Sequence, residues 1–245
     1  MGGIISIQRI IVSKYHREDG FPGYYMMRDY LENENRIVRS ALTIHHYMKE
    51  LGLQSIVRRK KPGYKKGTPN RVFPNILNRE FDVKKPNAIR CTDFTYMSRP
   101  DGTKRYHCTI LDLCGREVVA ILNSNHIDSQ LAIDTLQIAL ERRKPPKGII
   151  LYSDQGSQYT FKEFNEFCEK NNVQQSMSNE GYPYDNAVIE RFYHTFKNEY
   201  LNIHRFKTNE ALDQGVYDFV YIKYNHIRPH RYNGGLTPYA ARCAA

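Results

Sequence analysis

Between residues 89 and 177 the chain changes hydrophobic period in an order that few folds accommodate. Ile89–Met97 has the β-branched and aromatic content of a strand, and Asp101–Gly102 follows as a turn. Tyr106–Leu113 and Glu117–Leu122 read as two more strands, with Gly115 between them. Three strands joined by short turns predict an antiparallel meander. The period then becomes helical. Ser129–Arg142 places Ala132, Ile133, Leu136, Ala139 and Leu140 on one face, and Pro145–Pro146 follow its end. Gly148–Gly156 is a buried-type apolar strand that runs into a glycine turn, with Asp154 at its carboxyl end. Thr160–Asn171 predicts a helix and Val173–Met177 a short strand. A meander followed by strands that alternate with helices implies a mixed central sheet covered by helices.

The next stretch, Gly181–Glu199, joins a loop to a helix. Gly181, Pro183 and Asp185–Asn186 favour turns, and Asp185 or Asn186 is placed to cap the helix. Val188, Ile189, Phe192, Tyr193 and Phe196 then recur at helical spacing. Glu190 lies in the first turns of this helix, and Lys197 two turns later on the same side. Asn209–Tyr224 predicts a further helix, and Tyr224–Arg231 is compact and basic.

The chain ahead of the sheet differs in kind. Three short helices are expected at Ser6–Tyr15, Tyr24–Leu31 and Ser40–Leu51, with Ser40 capping the third and Gly52 ending it. Ile44, Tyr47, Met48 and Leu51, with Leu42 near the start, form the apolar set of the third. A small helix-turn-helix-like module fits this pattern, as do other helical bundles. Arg58, Arg59, Lys60, Lys61, Lys65, Lys66 and Arg71 come next, interleaved with proline and glycine, and no acid occurs from 51 to 79. The formal charge of +10 is uneven, because residues 1–80 hold 15 Lys and Arg against 7 Asp and Glu. A polyanionic partner is implied, with the basic run tracking a phosphate backbone or serving as a plain linker. The chain divides into a helical domain at 1–57 with a candidate DNA-binding role, a basic linker at 58–84, and a large domain at 85–245.

Five cysteines with no CxxC spacing argue against a disulfide framework or a structural zinc site. With no signal-peptide pattern and no run of 18 apolar residues, a cytoplasmic, nucleoid-associated protein without a membrane partner is expected. The chemistry falls to carboxylates. Asp93 in mid-strand is either solvent-facing or part of a site, Asp154 is either a turn cap or a ligand, and Glu190 alone reads as solvated helix surface. Asp112, at the end of the second strand, is not excluded by spacing. Three carboxylates from two strands and a helix would make a hard oxygen site suited to Mg²⁺ or Mn²⁺.

Ser153–Tyr159, Ser176–Ser178 and Gly181–Ala187 closely resemble the second open reading frame product of IS3-family insertion sequences, especially its IS150-like branch. These are DDE transposases with a retroviral-integrase-like core. Thr92–Tyr96 resembles the block around the first catalytic aspartate, which falls on Asp93. Asp154 matches the second, and Glu190 the glutamate, with 35 residues between them. Lys197 matches the accompanying DNA-contacting lysine, and Tyr224–His230 with Leu236–Pro238 the closing segment. Arg90, Tyr152 and Tyr25 depart from the family, standing where tryptophan, histidine and arginine are usual.

The resemblance implies an RNase H-like mixed five-stranded sheet flanked by helices, with Asp93, Asp154 and Glu190 as catalytic metal ligands for two Mg²⁺ or Mn²⁺ ions. It implies cleavage of the element's terminal inverted repeats and strand transfer into target DNA. Lys197, Arg228 and His230 join the basic run as expected DNA contacts. Self-association on DNA is expected, as is union with the first reading frame product, which carries the element-specific helix-turn-helix, by frameshift fusion or association. Two rivals stand beside this reading: a DNA-binding regulator with an inactive core, and a nuclease without strand transfer. Neutralising Lys60, Lys61, Lys65 and Lys66 together is expected to weaken binding to every DNA sequence alike. It should also flatten the salt dependence by up to about 0.9 log unit per lost phosphate contact, read from affinities across a salt titration.

Overall fold

The computed structural model describes residues 2–56, 71–179 and 186–245. The basic residues Arg58, Arg59, Lys60, Lys61, Lys65 and Lys66, and the loop at 181–185, lie outside the described residues.

The helical module is α1 (Gly2–Arg17), α2 (Tyr24–Asn35) and α3 (Ala41–Glu50). Ser40 caps α3 by accepting the Thr43 N–H at 3.1 Å, and Gly52, at φ +67°, turns the chain away after it. Ile7, Ile11, Met27, Leu31, Ile44 and Met48 close a small core. Leu42, expected near this apolar set, is 77% exposed and takes no part.

The large domain holds one five-stranded sheet in the order β3-β2-β1-β4-β5. Its strands are β1 (Ile89–Ser98), β2 (Lys104–Asp112), β3 (Val118–Ser124), β4 (Ile150–Ser153) and β5 (Gln174–Met177). The meander β1–β2–β3 is antiparallel, and β4 and β5 add parallel to β1. On one face lie α4 (Ser129–Arg142), α5 (Ser157–Thr160) and α6 (Lys162–Lys170), with Leu136, Leu151, Tyr159 and Phe164 in the core. The helix expected over 160–171 is thus broken at Phe161, whose extended backbone (φ −65°, ψ 150°) separates α5 from α6. On the other face lie α7 (Ala187–Phe196) and α8 (Asn209–Tyr217). Each continues without a break into wider π-helical turns, Lys197–Leu201 and Asp218–Ile227. Ile189, Phe192, Phe196, Phe219 and Tyr224 pack there on Cys91, Leu111 and Tyr152. A short α9 (Pro238–Cys243) ends the chain, with Thr237 accepting the Ala240 N–H as its cap.

Within the stretch expected as a basic linker, 58–84, the described part packs on the core from about residue 73. Ser176 of β5 accepts the Ile76 N–H at 2.9 Å, and Leu77 is buried in the α7-side core. The segment covers the outer edge of β5, which would otherwise expose unpaired backbone. The helical module also rests on the large domain. Buried Glu18 binds Lys14 at 3.1 Å and Lys223 of the π-helical segment at 2.9 Å. Burial pushes the Glu18 carboxyl up, but Lys223 and Lys14 outweigh it and hold the group below the usual range. Asn33 of α2 donates to the Gly235 carbonyl at 2.8 Å.

Arg90 is fully buried on β1, facing α4. Its guanidinium donates to the Ala139 and Arg143 carbonyls at 3.1 and 3.3 Å and to Asn87 at 3.0 Å. These are carbonyls at the C-terminus of α4, where the helix dipole favours a cation. Burial still lowers its pKa to about 10, against the attraction of Asp112. All five cysteines are free thiols. No helix among the described residues is long and apolar enough to cross a membrane.

His107 of β2 is wholly buried between Asn123 (2.6 Å) and Thr109 (2.8 Å), and burial lowers its pKa from 6.5 to about 4. The unfolded chain therefore takes up a proton that the folded chain refuses as the pH falls from about 6.5 to about 4. This contribution is intact above pH 6.5 and lost toward pH 4, with a cost on the order of 3 kcal/mol. In urea unfolding, the fall in stability over that window should be shallower for His107→Gln than for the wild type.

Candidate active site

β1 and β4 are parallel neighbours with Cys91 opposite Tyr152. Two residues further on, Asp93 and Asp154 are therefore level, on strands about 4.8 Å apart. Strand side chains alternate between faces, so both acids share the face of Cys91 and Tyr152, which is the face α7 covers. Asp93 is half-buried in mid-strand, opposite Thr109 of β2. Its Oδ1 accepts its neighbour Phe94 N–H at 2.7 Å. Asp154 lies one residue beyond β4 and accepts the Gly156 N–H at 2.8 Å. A Cβ on Gly156 would stand 2.8 Å from Asp154 Oδ1, so any other residue there would displace the carboxylate.

α7 is tied to β1 at the same level. The Tyr193 hydroxyl donates to the backbone carbonyl of Asp93. Burial raises the phenol well above its ordinary pKa, so it remains a donor. Glu190, three residues before Tyr193, lies one helical turn away on the same side, at the exposed start of α7. Asn186 occupies the N-cap position, but its side chain makes no cap bond. Lys197 sits in the π-helical turn, with its ammonium 4.8 Å from the centroid of the Tyr96 ring, which is 58% exposed near the end of β1. Asp93 and Asp154 thus face α7, and the helix with its π-helical extension meets β1 through Tyr193 at Asp93 and Lys197 at Tyr96.

Other expected residues fall elsewhere. Arg228 is 9% exposed and gives Nε and Nη2 to Glu199 at 2.6 and 2.7 Å. Burial opposes its charge, but Glu199 outweighs that and raises its pKa. Arg228 is therefore a buried brace between the two π-helical segments rather than a surface cation for a phosphate. His230 is largely buried, and burial with Arg228, Arg116 and Arg191 lowers its pKa to about 3, so it carries no charge at neutral pH. Asp112, left open by spacing, stands opposite Arg90, away from Asp93 along β1. Its oxygens accept the Asn87 and Cys114 N–H groups at 2.7 and 2.9 Å. Burial lifts its pKa to about 6, and its role is to hold the β2–β3 turn.

Among the described residues no three His, Cys, Asp or Glu side chains form a ready-made metal group. The donor chemistry nonetheless suits a hard divalent cation, because Asp93 and Asp154 present carboxylates on one face. Mg²⁺ typically takes one or two carboxylates and fills the remaining positions with water or substrate oxygens. Tyr193 and Tyr96 are supporting residues that residue order did not single out. Their signals were the three-residue step from Glu190 and an aromatic three residues after Asp93.

The integrase core domain family matches residues 83–183 and, in a second segment, 171–238. Among solved structures, the simian T-cell lymphotropic virus intasome in complex with PP2A regulatory subunit B56 gamma aligns with a TM-score of 0.51 at 17% identity, covering 88% of this chain and 74% of that one. The HTLV-2 integrase catalytic core domain in complex with magnesium aligns at 0.50 and 18%, covering 64% and 97%. At such identity these likenesses establish the fold, an RNase H-like integrase core. Transposase InsF for insertion sequence IS3A, from Escherichia coli (strain K12), is 35% identical over 167 residues, 68% of this chain and 58% of that protein. A 31 kDa protein of insertion element IS600 from Shigella sonnei is 32% identical over 210 residues, 85% of this chain and 77% of its own length. The chain belongs to the IS3-family, retroviral-integrase-like DDE transposases. It spans 58% of the length of the InsF relatives.

Tyr193→Phe removes the hydroxyl that ties α7 to β1 and leaves the ring in place. A loss of about 1 kcal/mol is expected in denaturant unfolding, the net worth of one such hydrogen bond.

Proposed function

We propose that this chain is the catalytic part of a transposase that cuts DNA at the ends of an insertion sequence and joins the freed 3′-hydroxyl to target DNA. The observation that carries the reading is the level placement of Asp93 and Asp154 beneath the helix that bears Glu190, in a chain of this family. Asp93, Asp154 and Glu190 would hold Mg²⁺ or Mn²⁺, two ions in the site. Such ions, when bound, activate the attacking oxygen and stabilise the leaving oxygen on phosphorus.

The chain's own groups divide the remaining work. Asp93 is held on one side by its pairing with Thr109 of β2, and Tyr193 holds its carbonyl. The Gly156 N–H orients Asp154. Glu190, at the exposed start of α7, approaches from the solvent side and completes the carboxylate set as DNA enters. Lys197 supplies a point charge for a phosphate near the reacting strand, steered by Tyr96. The partners implied are the element's terminal inverted repeats, target DNA, further copies of the chain assembled on DNA, and the first reading frame product. The solved viral relative was captured as an intasome, which supports DNA as partner.

The test is a gel assay of labelled element ends with Mg²⁺ and the chain joined to its upstream reading-frame partner. Glu190→Gln keeps the side-chain shape and removes its charge. Cleavage and joining should both fall by at least about 100-fold, with DNA binding retained. Wild-type rates from this variant would remove Glu190 from the site. Cleavage without joining in the unsubstituted protein would favour a nuclease.

A further inference from the structure

A second cleft, of about 410 Å³, runs along one flank of α7 and reaches Leu111 of β2. Arg191 and Phe192 of α7 line it, with Arg116 from the β2–β3 turn and His230, Arg231 and Tyr232 from the closing segment. Three arginines thus line one small space, and among the described residues no Asp or Glu lines it. Its volume is that of a small-ligand site, typically about 300–1,000 Å³. One carboxylate, Asp82, stands behind the rim, where it accepts the Tyr232 hydroxyl at 2.8 Å and draws on Arg116, so three cations face one acid and the excess favours an entering anion.

The aromatic residues add a second requirement. Arg116 stacks on Tyr232 with its guanidinium carbon 3.9 Å from the ring centroid, and its Nη2 donates to the Phe81 carbonyl at 2.9 Å. These contacts hold Arg116 in place, while 44% of Tyr232 remains exposed. Arg231 lies 4.7 Å from the centroid of Tyr25, on α2, so the same pairing of cation and aromatic ring continues onto the helical module. Two buried nitrogens at the cleft, Arg116 Nη1 and His230 Nδ1, have no hydrogen-bond partner. Buried polar atoms are rarely left so, and both are available to a ligand oxygen or nitrogen that enters the cleft. Guanidiniums for a phosphate beside exposed rings for a base form the recurring means of holding single-stranded nucleic acid.

We propose that this cleft holds one nucleotide of a DNA strand, with its phosphate among Arg116, Arg191 and Arg231 and its base against Tyr232. The identity of the polymer rests on the DNA-processing reading, whereas the cleft is independent of the carboxylate chemistry. Its consequence is that a nucleotide leaves the base stack and is gripped beside the helix that carries Glu190. That would fix the DNA relative to the reacting end. His230 is the reporter. It is held neutral by burial and by Arg228, Arg116 and Arg191, and an entering phosphate anion would offset part of the charge of those cations.

The experiment titrates the full chain, without metal, with dAMP at low ionic strength, and reads the His230 ring signals by NMR, assigned with His230→Gln. Saturable shifts and a raised His230 titration midpoint are expected. Inorganic phosphate and deoxyadenosine should each bind at least about tenfold more weakly, since each keeps only half of the recognition. The double variant Arg191→Gln, Arg231→Gln changes two outer residues rather than the Arg116 brace. It should weaken dAMP by about tenfold or more while leaving the unfolding midpoint unchanged. Tyr232→Leu should bring dAMP down to the level of phosphate. Unmoved His230 signals, undiminished binding by the double variant, or phosphate binding as tightly as dAMP would each overturn the proposal. Mg²⁺-dependent cleavage with a silent cleft would sink only the cleft, whereas dAMP binding by a chain that cleaves no DNA would sink only the transposase reading.

Discussion

β1 is hydrogen-bonded along both edges, antiparallel to β2 and parallel to β4. A strand held in this way cannot slip by one residue, because a slip would turn every side chain to the opposite face. Cys91 and Asp93 would move to the α4 side, and Arg90 and Thr92 to the α7 side. Each neighbour depends on the present register. Arg90 reaches the C-terminal carbonyls of α4, and Thr92 meets the Tyr159 hydroxyl at 3.1 Å. The two faces of one strand therefore lock each other. This double constraint sets Asp93 level with Asp154 and leaves both facing the helix that carries Glu190.

The α7 side bears an unusual load of buried polar groups. His107, Thr109, Asn123 and the Tyr193 hydroxyl form a layer within an aromatic core that includes Phe192, Phe196 and Phe219. Buried polar groups are tolerated only when paired, and once paired they fix orientation more sharply than apolar contacts do. The layer runs under the middle of β1 and β2, directly behind Asp93. Beyond it, Arg228 and Glu199 brace one π-helical segment against the other, and Lys223 with Glu18 joins the second of these to the helical module. A run of ion pairs thus links the helical module to the segment just after Glu190. π-helical turns widen a helix by one residue and rotate the residues beyond them. Here the second of them precedes Arg228, whose side chain turns inward to Glu199.

The proposed carboxylate set and the proposed arginine cleft share α7. Adjacent residues Glu190 and Arg191 project about 100° apart around the helix, so on this reading one element supplies an acid to one site and a cation to the other. The first would take metal and the second phosphate.

Much of this was already legible in residue order. The change from strand to helix period between 89 and 177 dictated the sheet, because each period buries a face only in its own geometry. α4 begins and ends where its pattern and flanking prolines say, and the 35 residues between Asp154 and Glu190 match the family's acid spacing. What residue order left open was long-range pairing. Asp112, Asp93 and Asp154 are alike as acids within or at the end of strands, and only the register of β1 with β2 and β4 separates a buried turn-holder from the two level carboxylates. Arg228 and His230 look like exposed cations in a basic tail. Tertiary packing gave the first to Glu199 and took the charge from the second, since the cost of desolvation depends on neighbours that are distant in sequence. Segment 73–84 likewise read as linker until the open edge of β5 gave its backbone a partner. Local periodicity specified most of the elements and supplied the candidate acids, though not the break at Phe161. Which of the charged groups meet was left to packing, because meeting is set by strand register and burial.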